Sequence, residues 1–245
     1  MKPLLDFADR TVLVVGGSSG IGNGIARTFR QLGAMVYVWG TRQHASDYAD
    51  EPGSHLDGLN YKQLNVTDDA AVANFQPPFP ALDVLVLSQG AVRYRRAEFE
   101  IQGFRAVVGV NLISVMSCAM KFQPMLAASK GSLIIVSSTA AFESTRGNPA
   151  YNASKTGAYG LTRTLGQAWA PLGIRVNGVA PGMVETKLTR VTTEDAARRK
   201  AFLERIPMGR FGTPEDMGNV AAFLASPLAS YIVGQTVIVD GGTLL

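Results

Sequence analysis

The stretch TVLVVGGSSGIGNG, residues 11–24, decides the fold of this 245-residue chain. Its first half is a short apolar run rich in valine, which is typical of a strand buried on both faces of a parallel sheet. Its second half places Gly16, Gly20 and Gly22 in the spacing G-x-x-x-G-x-G, just before a segment with helical periodicity. A strand, a glycine-rich turn and a helix in this order predict a dinucleotide-binding unit.

The same apolar pattern recurs along the chain and predicts a sheet. Further runs lie at residues 34–39, 59–64, 82–87, 132–137, 174–179 and 236–240. Segments of helical period separate them, and strands that alternate with helices indicate a doubly wound sheet. We therefore expect an α/β, Rossmann-type fold with seven parallel strands and helices on both faces. No linker or repeat divides the chain, which predicts a single domain over residues 1–245.

Composition excludes several classes of protein. Apolar residues make up 47% and charged residues 17% of the chain, a balance that excludes intrinsic disorder. The net charge of +4 is scattered, so we expect no nucleic-acid partner. No stretch approaches about 18 consecutive apolar residues, and we expect no membrane span. Cys118 is the only cysteine, which excludes an internal disulfide and favours a cytoplasmic location.

The glycine-rich turn has the chemistry of a phosphate site. Glycines allow close approach of a pyrophosphate, and the free N–H groups of the following helix favour an anion. The second predicted strand ends at Thr41 and Arg42, and Asp47 is the first acid after it. Because no carboxylate guards this end and Arg42 can pair with a phosphate, we favour NADP(H) over NAD(H). A solvated loop arginine is the alternative interpretation of Arg42.

A second group of residues predicts acid–base chemistry. Tyr151 and Lys155 lie four residues apart, on one face of a predicted helix. A nearby ammonium lowers the pKa of a phenol and makes it a usable acid or base. Ser138 follows the strand of residues 132–137, and Asn111 lies inside an apolar helix. Taken singly, each has a structural alternative: a tyrosine packed beside a lysine stem, a turn serine, a core asparagine.

Taken together, these motifs resemble the compact, single-domain branch of the short-chain dehydrogenase/reductase family. GGSSGIG, Asn111, Ser138, YNASK (residues 151–155) and VNGVAPGMVET (residues 176–186) match its motifs in order and context. The resemblance implies that Tyr151 is the general acid or base and that Lys155 lowers its pKa and holds the ribose hydroxyls. It implies that Ser138 orients the substrate carbonyl and that Asn111 anchors a water near Lys155.

The resemblance also implies the residues around the cofactor and the substrate. The implied cofactor residues are Gly16, Ser18, Ser19, Gly20, Ile21, Gly22, Thr41, Arg42, Asn65, Val66, Gly90, Tyr151, Lys155, Pro181, Gly182, Val184 and Thr186. The expected substrate pocket consists of Val92, Tyr94, Ala140, Phe142, Asn148, Met183 and Leu188. Most of the pocket residues are apolar, which favours a hydrophobic substrate. Residues 185–212, within a highly charged segment, are expected to form a lid.

The expected function is therefore an NAD(P)(H)-dependent oxidoreductase that interconverts a secondary alcohol and a ketone by hydride transfer. The alternative is a non-catalytic dinucleotide-binding sensor or scaffold on the same fold. The two histidines, His44 and His55, fall in a polar loop, which argues against a hydrolase triad and a metal site. The family's usual assembly implies a homotetramer or homodimer through the helices predicted at residues 101–128 and 149–171.

Overall fold

The computed structural model describes residues 5–245 and contains one sheet of seven parallel strands, ordered β3-β2-β1-β4-β5-β6-β7. The strands are β1 Thr11–Val15, β2 Met35–Gly40, β3 Asn60–Gln63, β4 Val84–Leu87, β5 Ser132–Val136, β6 Arg175–Pro181 and β7 Thr236–Val239. Each apolar run of the sequence overlaps one of them. The predicted Rossmann-type sheet is therefore confirmed.

Helices connect the strands on both faces. They are α1 Gly20–Gln31, α2 Asp69–Asn74, α3 Ile101–Val108, α4 Ser114–Ser129, α5 Pro149–Trp169, α6 Arg190–Thr193, α7 Ala196–Leu203 and α8 Pro214–Ala225. A π-helical turn, Gly109–Ile113, joins α3 to α4. Between β2 and β3 the chain forms only one 3₁₀ turn, Ala45–Tyr48, followed by irregular backbone.

Alternate residues of the central strands enter two separate cores, as the pleat of a strand requires. Val12 and Val14 face the core built with α1 and α8. Leu13 and Val15 face the core built with α4 and α5. All four are fully buried. Because all seven strands are parallel, their carboxyl ends lie at one edge of the sheet.

The α4 core contains the single cysteine. Cys118 is fully buried beside Phe122 and Leu126, and this burial raises the pKa of its thiol to about 12. The continuous helix from Ile101 to Ser129 is long and apolar enough to cross a membrane by length and composition alone, although polar residues interrupt its apolar runs. The core helix of a soluble protein meets the same criterion, and α4 provides one wall of this core.

Glycines let α1 and α8 approach closely. A Cβ on Gly24 would lie 2.6 Å from the Pro214 carbonyl carbon, and one on Gly218 would lie 2.1 Å from the Thr28 hydroxyl. Real Cβ atoms do not tolerate such distances. Because α1 begins at the glycine-rich turn, this contact with α8 fixes the direction in which α1 presents its N-terminus.

Gly24→Ala tests this contact. The new methyl group meets backbone atoms of Pro214, which cannot rotate away, so α1 and α8 must separate. We expect the free energy of unfolding to fall by about 1–3 kcal/mol, measured by urea denaturation. Gly160→Ala is the matched control, since Gly160 is an exposed helical glycine with open space around it. Equal stability of the two variants would contradict the packing argument.

Candidate active site

A cavity of about 510 Å³ lies along the carboxyl edge of the sheet. The glycine-rich turn and the end of β2 line one end, and the loops after β4, β5 and β6 line the other. The predicted site residues that line it are Gly16, Ser18, Ser19, Gly20, Ile21, Gly22, Thr41, Asn65, Val66, Gly90, Val92, Tyr94, Ser138, Tyr151, Lys155, Pro181, Gly182, Val184, Thr186 and Leu188. Two motifs more than 100 residues apart in sequence thus share one cavity.

The glycine-rich turn brings backbone close to backbone. Gly16 has a φ of +76°, in the left-handed region that favours glycine. A Cβ on Gly22 would lie 2.2 Å from the Gly16 carbonyl oxygen, so only glycine fits there. The Ser19 hydroxyl forms no cap on α1, although the Gly20 N–H donates to the Gly53 carbonyl at 2.9 Å. This geometry can bind a phosphate group through backbone N–H groups.

Ser138, Tyr151 and Lys155 meet at the opposite end. The Ser138 side chain lies near the Tyr151 phenol, and Lys155 Nζ lies 5.8 Å from the centre of the Tyr151 ring. Lys155 Nζ donates to the Val136 carbonyl at 2.9 Å, while the Ser137 hydroxyl donates to the Lys155 carbonyl at 2.8 Å. These two hydrogen bonds join α5 to the end of β5 and so fix Tyr151 beside Ser138.

Burial is the largest influence on the pKa values of Tyr151 and Lys155. It raises the pKa of Tyr151, and nearby Tyr94 and Glu98 add to the rise, whereas Ser138 lowers it. Burial also lowers the pKa of Lys155 to about 8. The expected lowering of the Tyr151 pKa by Lys155 is not seen in the described structure, because the ammonium is itself desolvated and donates to the Val136 carbonyl.

Asn111 lies in the π-helical turn between α3 and α4 and is fully buried. Its side chain accepts from the Ala91 N–H at 2.7 Å and donates to the Ala91 carbonyl at 2.9 Å and to the Ser154 hydroxyl at 3.1 Å. Asn111 thereby braces the loop after β4 against α5. Turns of this type recur at functional sites. The role of Asn111 toward a water molecule stays a prediction.

The buried carboxylate of Glu98 holds the start of α5. It accepts hydrogen bonds from the N–H groups of Tyr151 and Arg93, both at 2.9 Å, and from the Asn148 amide at 3.2 Å. A carboxylate at a helix N-terminus satisfies an unpaired N–H group and stabilises the helix dipole. Glu98 is 1% exposed, so these bonds are shielded from water. It positions the backbone of the predicted catalytic tyrosine.

At the end of β2, the side chain of Arg42 does not reach the cavity. It forms an ion pair with Glu51, donates to the Asp47 carbonyl and lies over the Tyr48 ring at 4.5 Å. The Tyr48 hydroxyl accepts from the N–H groups of Thr41 at 3.1 Å and of Arg42 at 3.2 Å. The loop between β2 and β3 therefore covers the donors at this end.

The predicted lid contacts both ends of the cavity. On one side the Tyr94 hydroxyl donates to the Leu188 carbonyl. On the other, Lys187 pairs with Glu51 at 3.0 Å and Arg190 with the same carboxylate at 3.4 Å. A Cβ on Gly20 would lie 3.2 Å from the Thr186 methyl group, so the start of the lid packs on the glycine-rich turn.

Comparison with known proteins decides the family. The family profile described as enoyl-(acyl carrier protein) reductase matches residues 15–243. The chain is similar to the 3-oxoacyl-[acyl-carrier-protein] reductase FabG of Chlamydia pneumoniae, at 36% identity over 97% of this chain and 98% of the relative. The chain belongs to the short-chain dehydrogenase/reductase family. It is an oxidoreductase of that family, as the resemblance of its motifs predicted.

Solved structures of short-chain dehydrogenases/reductases share the fold over nearly the whole chain. One is a putative 2-deoxy-D-gluconate 3-dehydrogenase from Agrobacterium tumefaciens with bound NADP (TM-score 0.88, 33% identity, 99% of each chain). Another is a putative NAD(P)-dependent gluconate 5-dehydrogenase from Beutenbergia cavernae with NADP bound at low occupancy (TM-score 0.88, 35% identity, 99% of each chain). Their bound nucleotide agrees with the cofactor class predicted for this short-chain dehydrogenase/reductase.

Six predicted site residues lie outside the cavity lining. Arg42 is turned toward Glu51, and Asn111 and Asn148 are occupied as internal braces. Phe142 is 40% exposed and packs on Tyr159 with ring centres 5.0 Å apart. The other two are Ala140, whose carbonyl accepts from Asn152, and Met183, whose carbonyl accepts from Gly212. For these residues direct contact with cofactor or substrate stays a prediction.

Other residues of this short-chain dehydrogenase/reductase were missed in the sequence. Gln89 donates to the Ser114 hydroxyl at 3.1 Å and so braces the loop before Gly90. Glu98, Tyr48 and Glu51 are polar side chains in segments without a motif. The long non-periodic segment between β2 and β3 was the one available signal for the last two.

Lys155→Met tests the buried ammonium through the pH dependence of stability. The pKa of Lys155 is about 8 in the folded chain against an ordinary value of 10.5, so between these values the unfolded chain binds more protons. Stability must therefore rise with pH in this window. From about pH 7.5 to about pH 9.5, we expect the wild type to gain about 1–2 kcal/mol relative to Lys155→Met in urea unfolding. Lys200→Met, at an exposed lysine, is the control. If the stability of Lys155→Met changed with pH in parallel with that of the wild type, burial of the Lys155 charge would be refuted.

Glu98→Ala tests the brace at the start of α5. Loss of the carboxylate leaves buried N–H groups without acceptors, so we expect the free energy of unfolding to fall by about 2–4 kcal/mol. Glu98→Gln keeps acceptor oxygen and should lose less. Glu143→Ala, which removes an exposed carboxylate paired with Arg205 at 3.8 Å, is the control. An Ala variant at position 98 as stable as this control would show that the bonds contribute nothing.

Proposed function

We propose that the chain is an NADP(H)-dependent oxidoreductase that interconverts a ketone and a secondary alcohol, with a hydrophobic substrate. The observation that carries this proposal is that Ser138, Tyr151 and Lys155 together line one end of a cavity whose other end is the glycine-rich turn. Acid–base groups and a phosphate cradle are the two requirements of hydride transfer with a nicotinamide cofactor.

In this mechanism Tyr151 carries the proton. Its raised pKa keeps the phenol protonated, and it donates that proton to the substrate oxygen during reduction. In oxidation the same oxygen takes the proton back. Ser138 donates a hydrogen bond to the substrate oxygen and orients it, and Lys155 supplies positive charge near the phenol. The nicotinamide cofactor supplies or accepts the hydride when bound.

The residues around the cavity fit such a cofactor. The close backbone approach at Gly16 and Gly22, beside an α1 N-terminus without a side-chain cap, suits a pyrophosphate. Asn65 and Val66 line the adenosine end. Arg42, directly after β2, supports NADP(H) over NAD(H), and the NADP bound in two structural relatives agrees with this choice. The implied cofactor set is otherwise kept as proposed from the sequence.

An apolar wall supports a hydrophobic substrate. Val92, Val184 and Leu188 line the cavity together with the ring of Tyr94 near the reacting groups. The FabG relative is named for a 3-oxoacyl substrate, which makes a 3-oxoacyl thioester the first class to test. Two structural relatives are named for gluconate substrates. Among the described residues no arginine lines the cavity to bind a sugar carboxylate, so we favour the acyl substrate.

The remaining sequence predictions form part of the same proposal. Residues 1–245 act as one domain, and residues 185–212 act as a lid, which the contacts of Leu188 and Lys187 support. Assembly as a homotetramer or homodimer through α4 and α5 agrees with large apolar side chains exposed near these helices, Ile113 and Met120 among them. The cytoplasmic location remains an expectation.

Tyr151→Phe is the decisive variant. Purified protein is assayed with NADPH or NADH against a panel of 3-oxoacyl thioesters, hydrophobic ketones and keto sugar acids, and nicotinamide absorbance is followed. Removing the phenol oxygen should lower kcat by about 10²–10⁴-fold and leave the Kd for the cofactor nearly unchanged. Tyr159→Phe, two turns further along α5, is the matched control and should keep wild-type activity.

Other outcomes distinguish the alternatives. Cofactor binding without reduction of any carbonyl would favour the non-catalytic sensor. Full activity of the Tyr151 variant would overturn the proposed acid–base role. Activity confined to keto sugar acids would overturn the substrate class and leave the mechanism in place.

A further inference from the structure

A single carboxylate lies among three cations at the cofactor end of the cavity. Glu51 pairs with Arg42 from the loop after β2, and with Lys187 at 3.0 Å and Arg190 at 3.4 Å from the lid. Its side chain is only 10% exposed. The hydrogen bonds with Lys187 and Arg42 hold the pKa of Glu51 below its ordinary value, so it is charged at neutral pH. Three cations thus share one internal anion.

The rest of the β2–β3 loop occupies further donors of the same region. The Tyr48 hydroxyl accepts from the consecutive N–H groups of Thr41 and Arg42. The Gly53 carbonyl accepts from the Gly20 N–H, the first of α1, at 2.9 Å. Consecutive N–H groups and a helix N-terminus are the backbone donors that proteins use for phosphates. In each case the loop supplies an oxygen where an anion would bind.

The position of this cluster identifies the phosphate involved. Gly40 and Thr41, at the end of β2, line the cavity, and the cation cluster begins at the next residue, Arg42. In a doubly wound dinucleotide site the end of the second strand faces the ribose 2′-oxygen of the adenosine. Any phosphate on that oxygen must use the guanidinium that Glu51 now neutralises, and it meets the charge of Glu51 directly.

We propose that Glu51 determines the specificity of this site for the 2′-phosphate, by competing with it for Arg42, Lys187 and Arg190. The inference rests on the proposed dinucleotide site and assigns a residue to its selectivity. NADP(H) binds only when Glu51 leaves the cluster, whereas NAD(H) places no phosphate there. Glu51 therefore weakens binding of the phosphorylated cofactor selectively.

Glu51→Gln tests the competition, because it keeps the size of the side chain and removes the charge. Titration calorimetry with adenosine 2′,5′-bisphosphate and with 5′-AMP isolates the 2′-phosphate, and fluorescence titration with NADPH and NADH follows the whole cofactor. We expect the variant to bind the bisphosphate and NADPH about tenfold more tightly, since a like charge is removed. Binding of 5′-AMP and NADH should change less than twofold.

Glu194→Gln is the matched control. Glu194 is an exposed carboxylate that also pairs with Arg190, at 3.6 Å. Glu194→Gln therefore removes one negative charge beside the same arginine, at a position outside the cluster. It should leave all four affinities at wild-type values. If Glu194→Gln increased the affinity for NADPH and the bisphosphate as much as Glu51→Gln, the effect would come from net charge alone, and the proposal would be overturned.

Further results would overturn the inference in recognisable ways. Equal tightening of NADPH and NADH would show that Glu51 opposes the pyrophosphate. Weaker NADPH binding would show that Glu51 organises the cations for the ligand. If neither the wild type nor the variant bound any dinucleotide, the proposed function itself would fail, and this inference with it. If the wild type bound both cofactors and Glu51→Gln changed neither, only the inference would fail.

Discussion

Two buried hydrogen bonds between the end of β5 and the middle of α5 determine the geometry of the whole site. Lys155 donates from its ammonium to the Val136 carbonyl, and Ser137 donates to the Lys155 carbonyl. Together they fix the rotation and the height of α5 against the sheet. Tyr151, one turn earlier, then meets Ser138, the first residue beyond Ser137. Lys155 therefore both joins α5 to the end of β5 and places a positive charge in the site.

The sequence predicted the sheet and the site because their signals are local. A parallel strand needs apolar residues on both faces, so TVLVV and SLIIV are recognisable without knowledge of their partners. The glycine-rich turn needs glycines that no side chain can replace. Tyr151 and Lys155 are linked by helical spacing alone. In each case the physical requirement lies within one short segment.

The residues that escaped prediction depend on partners far away in sequence. Glu98 meets the N–H of Tyr151 across 53 residues, and Glu51 meets Lys187 across 136. No periodicity encodes such pairs. Arg42 was interpreted from its position after β2, but its orientation follows from Glu51. Phe142 was placed in the pocket by position, whereas the structure packs its ring on Tyr159.

The two ends of the cavity have opposite physical character. Around Tyr151 and Lys155, burial raises the pKa of the phenol and lowers that of the ammonium to about 8, so proton transfer occurs in a poorly solvated environment. Around Glu51, charges are paired and close to solvent. The lid touches both, through the Leu188 carbonyl and through Lys187. A change in either environment is therefore transmitted to the same segment of chain.

The single cysteine is a native probe of local opening in this protein. Cys118 lies on the buried face of α4, and at a pKa of about 12 almost none of its thiol is in the reactive thiolate form at neutral pH. A thiol reagent can reach it only after α4 has separated from the sheet. The rate of labelling under native conditions therefore measures the free energy of that local opening. The turn that contains Asn111 leads directly into α4. The same rate therefore also reports how stably this side of the site is packed, without any introduced probe.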